Sequence, residues 1–359
     1  MRMLSWFLLA AACPGALDAQ ELRQPPRSQR DHSEPFRHTH SWQLDQDLIA
    51  PNNEDRDYTQ GLSFEWFTEE RDPNAYPNDL WGFSHAHELL DGAASTLSLR
   101  QADGQAKLVT SMGLGSIAFT PDNIAAAAPV TNERPYSNLF YYTQRRIQES
   151  PDGSVGTELR LGMLGTNVAS YAQTKIHQAN RVAFNSDQPV DPNGWGNQIS
   201  DGGELTFLYR VSSDRIVSRG EWHDLALTSD VNLGYQVNGS LGFTYRLGRM
   251  ENGTHSTPFD PMSRANFVPA LAPGDQYFFC AARVRGVAYD ALLQGQLKHN
   301  AYDLRTRDVS RVVVQAALGL STSFSRSHQL TYSVTARTHE FADQRRTHWW
   351  GGLTYSRRY

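Results

Sequence analysis

The amino-acid sequence predicts an all-β protein, an antiparallel β-barrel that spans a membrane. Runs of about ten residues alternate between apolar and polar side chains, which is the length that tilted membrane-spanning strands need. Tyr, Trp and Phe recur at the ends of these runs, where barrels carry aromatic girdles at the membrane interfaces. The chain also ends on an alternating run, LTYSRRY, whose last residue is the aromatic Tyr359.

Two runs show the alternation most clearly. HQLTYSVTARTHEF places its apolar side chains on one face: Leu330, Tyr332, Val334 and Ala336. SLGFTYRLG does the same: Leu241, Phe243, Tyr245 and Leu247. Similar runs lie at 60–68, 107–119, 155–163, 204–212, 222–237, 276–288 and 309–322. No long stretch shows helical periodicity, so we expect strands throughout.

A soluble β-sandwich is the alternative architecture, because its strands have the same period with the apolar face turned inward. The number and length of the runs favour the membrane barrel. The final run points the same way, since Tyr359 is in phase with Leu353 and Tyr355. Such an ending resembles the assembly signal of bacterial outer-membrane proteins, although Arg357 interrupts its apolar phase.

We expect the chain to divide into three parts. Residues 1–19 have the features of a secretory signal peptide, with an Arg before an apolar stretch and small residues before a cleavage point after position 19. Residues 20–40 are polar and contain proline, which predicts an unstructured leader, and residues 41–359 are expected to form the barrel. Cys13 also faintly resembles a lipoprotein signal, but the leucine usually found three residues earlier is absent. After cleavage only Cys280 would remain, which leaves no intrachain disulfide.

Composition and charge exclude several classes of protein. Aromatic residues make up 11% of the chain, which is too many for a disordered protein. Beyond the N-terminal stretch no apolar run is long enough for a transmembrane helix. The formal net charge of −5 argues against a nucleic-acid partner.

The acidic stretch LDQDLIAPNNEDRDYTQG, residues 44–61, allows three interpretations. It could be a solvated loop, a loop that binds a divalent cation, or part of an active site. Acidic runs near a chain end usually face water. Composition alone therefore favours the solvated loop, and the choice depends on the rest of the chain.

The sequence HAHE suggests metal ligands, because His85 and His87 would share a face on a strand. No third ligand accompanies them and Glu88, so we expect this segment to lie in a loop or at the barrel rim without a metal.

His177 is a stronger candidate for chemistry. It is followed by a loop rich in Pro, Gly and Asn that contains Asp187 and Asp191 and closes on Gly194 and Trp195. A lone histidine at a strand end is usually structural, but one followed by carboxylates is a candidate general base with an orienting partner or a cation. The sequence contains no GxSxG motif that would indicate a serine nucleophile.

Several blocks of the sequence, in order, resemble the outer-membrane lipid A 3′-O-deacylase (LpxR-like) family. They are DQDLIAPNNEDRDYTQGL, IAFTPDNI with NERPYSNLFYYT, MLGTNVASYAQTKIH with DPNGWGNQI, SDVNLGYQVNGSLGFTYRLG, and LTYSVTARTHEFADQRRTHWWGGLTYSRRY. Each block alone is only moderately specific. Together they cover nearly the whole chain after the leader.

The resemblance implies a barrel of about twelve strands in the bacterial outer membrane. It implies removal of an ester-linked acyl chain from lipid A of lipopolysaccharide, with calcium as cofactor and outer-membrane lipid as the surroundings. A monomer is expected. It also implies that a histidine activates water while a cation stabilises the oxyanion.

Residue by residue, the resemblance places four side chains at the site. His177 falls on the family's catalytic histidine, Thr59 on the threonine of its YT-x-G motif, and Asp47 on the aspartate of its Asn-Asp pair. Gln46 occupies the asparagine position, which is a departure. Its extra methylene could displace an oxyanion donor by about an ångström and cost roughly 100-fold in rate, so weaker activity or a different lipid preference stays open.

The carboxylate that accompanies the histidine has two candidates. Counting back from the Gly-Trp pair favours Asp191, whereas counting forward from His177 favours Asp187. Either would pair with the histidine or hold the cation. The alternative function is a non-catalytic outer-membrane barrel, either a pore or a lipid-binding structural protein.

Overall fold

A computed structural model describes residues 38–50, 57–72, 74–77, 82–96, 106–175, 191–250, 275–325 and 327–359. The expected signal peptide at 1–19 and most of the expected leader at 20–40 lie outside these residues. The first strand begins at Thr39, just before the expected start of the barrel at residue 41.

Twelve antiparallel strands close into a barrel in which each strand pairs with the next and β1 pairs with β12. They are β1 (Thr39–Gln46), β2 (Asp57–Glu70), β3 (Lys107–Thr120), β4 (Ser137–Ser150), β5 (Gly153–Leu164), β6 (Glu204–Arg219), β7 (His223–Gly234), β8 (Gln236–Arg249), β9 (Gln276–Asp290), β10 (Val312–Ser325), β11 (His328–Arg337) and β12 (His348–Arg358). The predicted fold class is confirmed.

Short helical segments accompany the strands. They are α1 (Phe83–Thr96), α2 (168–175), α3 (Ala291–Gln294) and two 3-10 turns, Asp47–Ile49 and Trp195–Asn197. None of the helices in the described part of the chain is long and apolar enough to cross a membrane.

The polarity of the strands is that of a membrane barrel rather than a sandwich. Outward side chains are apolar and exposed, as with Leu241 at 72% and Leu318 at 66%. Their neighbours along the same strands face the lumen and are polar and buried, as with Thr244 and Gln315. An apolar outer face and a polar interior are what lipid outside the barrel requires.

The two ends of the barrel differ. At the terminal end, where β1 begins and β12 ends, three strand pairs are joined by short turns at 151–152, 220–222 and 326–327. Three of the five connections at this end are short, and outer-membrane barrels have short periplasmic turns, so we expect this end to face the periplasm if the barrel lies in an outer membrane. The opposite end, here the loop end, is where the connections 121–136 and 165–203 join their strands.

Charged side chains fill the lumen toward the terminal end. Glu158 accepts hydrogen bonds from Arg160 at 3.0 and 2.6 Å, from Arg210 at 2.9 Å and from Thr143 at 2.8 Å. All four are almost fully buried. The carboxylate therefore compensates guanidinium groups that have no access to water.

Apolar side chains fill the lumen at the loop end. Tyr58, Phe119 and Trp350 form a buried cluster with Ala291 and Leu292 of α3, which folds into the mouth of the barrel. Among the described residues, side chains thus occupy the lumen at both places.

The expectation that HAHE lies in a loop or at the rim, with strands throughout, is wrong. His85, His87 and Glu88 belong to helix α1, so consecutive odd positions do not share a face. The sequence shows no apolar helical stripe toward the barrel, because the buried positions of this helix include the polar His87 and Asp91.

We predict that the purified barrel in a planar lipid bilayer shows no steady conductance, because the charged network and the apolar cluster occupy the lumen. The current is compared with that of protein-free bilayers under the same voltage. A stable ohmic step on insertion would contradict the filled lumen.

We predict that Glu158→Gln lowers the free energy of unfolding by about 3–5 kcal/mol, because it leaves buried arginines without a counter-charge. Urea unfolding of the barrel in phospholipid vesicles, followed by tryptophan fluorescence, measures the change. Glu221→Gln, in the exposed turn before β7, is the matched control and should leave the free energy of unfolding unchanged. Equal effects of the two substitutions would refute the role of the network.

Candidate active site

The first part of the candidate site lies where β1 leaves the barrel at the loop end. Gln46 is the last residue of β1 and, by alternation with the lumenal Asp45, faces outward. The chain then turns through Asp47–Ile49. The turn contacts both β2 and β12, and the carboxylate-bearing Asp47 is 2% exposed.

Close backbone contact fixes this turn on β12. A Cβ at Gly351 would lie 2.6 Å from the carbonyl oxygen of Ile49, so the turn can approach β12 only because that position is glycine. The hydroxyl of Tyr332 donates a hydrogen bond of 2.8 Å to the same carbonyl oxygen. Asp47 is therefore held in one place rather than carried on an open loop.

The second part of the site is a β-bulge in β2. The pairing of β2 with β3 shifts between Tyr58 and Gln60, which leaves Thr59 as the extra residue. Its hydroxyl lies 2.7 Å from that of Thr120, and both residues are buried. The amide of Tyr58 donates to Nε2 of His348 at 3.0 Å, which anchors the bulge to β12. Bulges of this kind re-aim a side chain, here the threonine of the YTQG segment.

The glycine of the YTQG segment has a steric role. A Cβ at Gly61 would lie 1.9 Å from the hydroxyl oxygen of Tyr58, so the tyrosine ring occupies the space that any other residue would fill. That hydroxyl donates to Asp45 at 3.3 Å. Asp45 also accepts from the amide of Gln43 at 2.8 and 2.7 Å. These contacts turn Tyr58 into the lumen beside the bulge.

The described parts of connection 165–203 cover the outer face of β3 beside the bulge. Ala118, Ile124, Tyr136 and Trp195 form one buried cluster, and Ala169 of α2 packs on it. Ala118 alternates with the lumenal Phe119 and therefore faces outward. Thr120 follows two residues later on the same face. The Thr59–Thr120 pair thus borders this covering layer.

Hydrogen bonds hold both arms of the connection. Thr166 donates its hydroxyl to the side-chain oxygen of Asn138 at 2.9 Å. The indole of Trp195 donates to Gln173 at 2.8 Å. The amide of Asn193 donates to the carbonyl oxygen of Ile124 at 2.9 Å. The arm before residue 176 and the arm after residue 190 are therefore both fixed on the barrel wall.

The structure describes four of the predicted site residues and leaves two outside the described ranges. Gln46, Asp47 and Thr59 lie at the adjoining ends of β1 and β2. Asp191 is exposed at the start of the second arm. His177 and Asp187 lie outside the described residues.

Sequence reasoning missed two neighbours of the bulge, Thr120 and His348. Thr120 stands in the TPDN segment, but nothing in the spacing indicates that it meets Thr59, because the bulge shifts the pairing. His348 is distant in sequence and meets Tyr58 only because β12 lies near the start of β2.

A buried ion cluster fixes the rim across the mouth. Glu340 pairs with Arg134, and Arg337 donates to it at 2.9 Å. Burial alone would raise the pKa of Glu340, but the neighbouring arginine charges outweigh it and lower that pKa to about 2. The carboxylate therefore stays ionised and keeps connections 121–136 and 338–347 together.

The candidate metal ligands are of the type that calcium prefers. Asp191, one of the two predicted ligands, offers carboxylate oxygens, and Asp47, which the sequence placed among the catalytic groups, offers another carboxylate. Ca²⁺ takes oxygen ligands from carboxylates, carbonyls and water. Asp187 would add a third carboxylate but lies outside the described residues. Within the described ranges, no group of three or more His, Cys, Asp or Glu side chains is placed to hold a metal ion. The donor chemistry fits calcium.

Comparison with known proteins identifies the family. The model described as "Outer membrane protein LpxR" matches residues 4–359. The solved structure of LpxR from Salmonella typhimurium is similar with a TM-score of 0.64 at 14% identity, covering 89% of this chain and 100% of that chain. An outer membrane channel from Pseudomonas putida F1 gives a TM-score of 0.45 at 8% identity, covering 94% and 100%. No curated protein matches the sequence.

The family match extends over nearly the whole chain, and the Salmonella structure has the same kind of barrel. This chain belongs to the LpxR family of outer membrane proteins and is a β-barrel of the bacterial outer membrane.

Proposed function

We propose that this protein is a calcium-dependent hydrolase that removes an ester-linked 3′-O acyl chain from lipid A. The observation that carries the proposal is the position of Asp47 and the Thr59–Thr120 pair. They are buried at the loop end, beside a covering connection whose two arms are fixed on the outer barrel wall. That connection carries His177 in its sequence.

The outer wall below the site suits a lipid substrate. Leu62 on β2 and Leu114 on β3 face outward and are 42% and 45% exposed. Acyl chains of a lipid in the outer leaflet would lie along such side chains. The ester between acyl chain and sugar would then reach the polar groups at the loop end without leaving the membrane.

Each candidate residue has a role in ester hydrolysis. Neutral His177 would take a proton from water as the water oxygen bonds to the ester carbonyl carbon. The resulting imidazolium would return a proton to the sugar oxygen as its bond to that carbon breaks, which yields a fatty acid and a free hydroxyl. Thr59, oriented by Thr120, and the amide of Gln46 would donate hydrogen bonds to the carbonyl oxygen.

Asp47 with Asp191 or Asp187 would hold the calcium ion. When bound, calcium supplies positive charge beside the oxygen on which negative charge develops. Asp47 suits this role because its turn is fixed against β12 by Gly351.

Mass spectrometry of lipid A from cells that produce the protein tests the proposal. We expect the loss of one ester-linked acyl chain with the wild type and no loss with His177→Ala. Heat-modifiable migration of the folded barrel controls for misfolding of the variant. Unchanged acyl content with calcium present and the barrel folded would refute the hydrolase and leave a non-catalytic lipid-binding barrel.

Calcium dependence can be tested on purified protein. We expect chelator to abolish acyl release from lipid A in detergent micelles, and excess calcium to restore it. Asp191→Asn and Asp187→Asn form a matched pair. The substitution that removes the true ligand should raise the calcium concentration needed for half-maximal rate by about tenfold or more. Full activity in chelator, or no effect of either substitution, would refute the calcium site.

The threonine pair gives a further prediction. We expect Thr120→Val to lower kcat about 10- to 100-fold, because Thr59 loses the hydroxyl that orients it, while KM changes little. Thr120→Ser keeps that hydroxyl and should retain most of the rate. Acyl release from defined lipid A measures both, and equal rates for the two variants would contradict the role of the pair.

A further inference from the structure

Helix α1 lies on the outer wall of the barrel rather than in the lumen. Ala94 packs with Leu159, Tyr209 and Val211. Leu159 and Tyr209 face outward, because the adjacent Glu158 and Arg210 along the same strands are lumenal. The helix therefore covers part of the outer face of β5 and β6.

Polar side chains lie beneath the helix. Gln144 of β4 donates to the carbonyl oxygen of Phe83 at 3.1 Å. Thr157 of β5 lies 3.0 Å from Nε2 of His87. Arg146 of β4 donates to Asp91 at 3.0 Å. Outward polar groups of this kind would be costly in hydrocarbon, and the helix shields them.

Asp91 fastens the helix to the wall. Besides Arg146, it accepts hydrogen bonds from Tyr209 at 2.9 Å and from Tyr76 at 3.0 Å. Asp91 and Arg146 are both nearly fully buried and neutralise each other. A compensated pair with its hydrogen bonds made can remain in apolar surroundings.

The strand register identifies the lipid-facing side chains on either side of the helix. Gln144 pairs with Met112 and, on the other side, with Leu159. Continued outward on both sides, the same row of the sheet reaches Trp66 of β2 and Leu233 of β7. These two side chains flank the helix on the outer wall and are 36% and 54% exposed. Because barrel strands are tilted, this row crosses the wall obliquely, and the helix lies between side chains that face lipid on both sides.

The helix has three faces. His87, Asp91 and Ala94 face the barrel and are buried. A second face is apolar at the spacing of one helical stripe: Ala86, Leu89, Leu90 and Ala93. Leu89 on this face is 75% exposed. A third face is polar, with His85 and Glu88 paired at 3.6 Å on the surface.

We propose that α1 is an interfacial helix whose face of Ala86, Leu89 and Ala93 binds the acyl chains of phospholipids in the periplasmic leaflet. This face continues the exposed apolar wall of the barrel across the region where the outward side chains Gln144, Arg146 and Thr157 are polar. The polar face with His85 and Glu88 then meets headgroups and water, as in helices that lie in the membrane interface. The inference is independent of the proposed hydrolase.

Site-directed spin labelling tests the proposal. The full chain with Cys13→Ser and Cys280→Ser receives a nitroxide at Leu89→Cys, at Glu88→Cys or at Leu161→Cys in vesicles of phosphatidylethanolamine and phosphatidylglycerol. Leu161 is an exposed outward residue of β5 and serves as the lipid reference. Accessibility to oxygen, which partitions into lipid, is compared with accessibility to a water-soluble nickel chelate.

We expect the label at 89 to match the label at 161, with high oxygen and low nickel accessibility, and the label at 88 to show the reverse. A nickel accessibility at 89 as high as that of a water-exposed label, with low oxygen accessibility, would place the apolar face in water and overturn the proposal. Protection of the label at 89 from both reagents would assign the face to a protein partner and would overturn it as well. Retained heat-modifiable migration shows that each labelled barrel is folded.

Discussion

Closure of the sheet by pairing of β1 with β12 is the constraint on which the rest of the structure depends. In the hydrocarbon of a membrane no water can satisfy a free strand edge, so every backbone N–H and C=O must find a partner in the sheet. Residues Thr39 to Asp45 pair with β12 on one side and β2 on the other, and Gln46 pairs with Gly351 of β12. This double pairing holds the end of β1 against β12, which is where Asp47 and its turn are fixed.

Closure of the barrel also separates a filled lumen from an outer wall that faces lipid, and only the wall is open to a lipid molecule. The lumen is filled by the Glu158 network and by the apolar cluster around Trp350, which leaves little room for an acyl chain. The outer wall is exposed to lipid, and at the loop end it carries polar groups held by a bulge and a tight turn. A site on the wall would receive a lipid laterally from the membrane. The described arms of connection 165–203 cover part of the wall beside these polar groups.

The sequence predicted the barrel where one face meets lipid and the other meets the lumen, as in β8 and β11. It did not predict β4, because the outward Gln144 and Arg146 are covered by α1 and break the alternation. It did not predict α1 either, because the helix buries the polar His87 and Asp91 against those strands and so lacks an apolar stripe on that face. The family motifs indicated Gln46, Asp47 and Thr59 as site residues. They did not indicate Thr120, because the bulge changes which residues of β2 and β3 face each other.

Photocrosslinking tests the central claim, that lipid A is bound at the outer wall, most directly. Lipid A with a photoactivatable acyl chain is irradiated with the folded barrel in vesicles, and adducts are mapped by mass spectrometry of peptides. The account predicts adducts on outward residues of β1 to β3, such as Leu62 and Leu114, and their loss in competition with unlabelled lipid A. Adducts confined to lumenal residues, or spread evenly around the barrel and insensitive to competition, would contradict it.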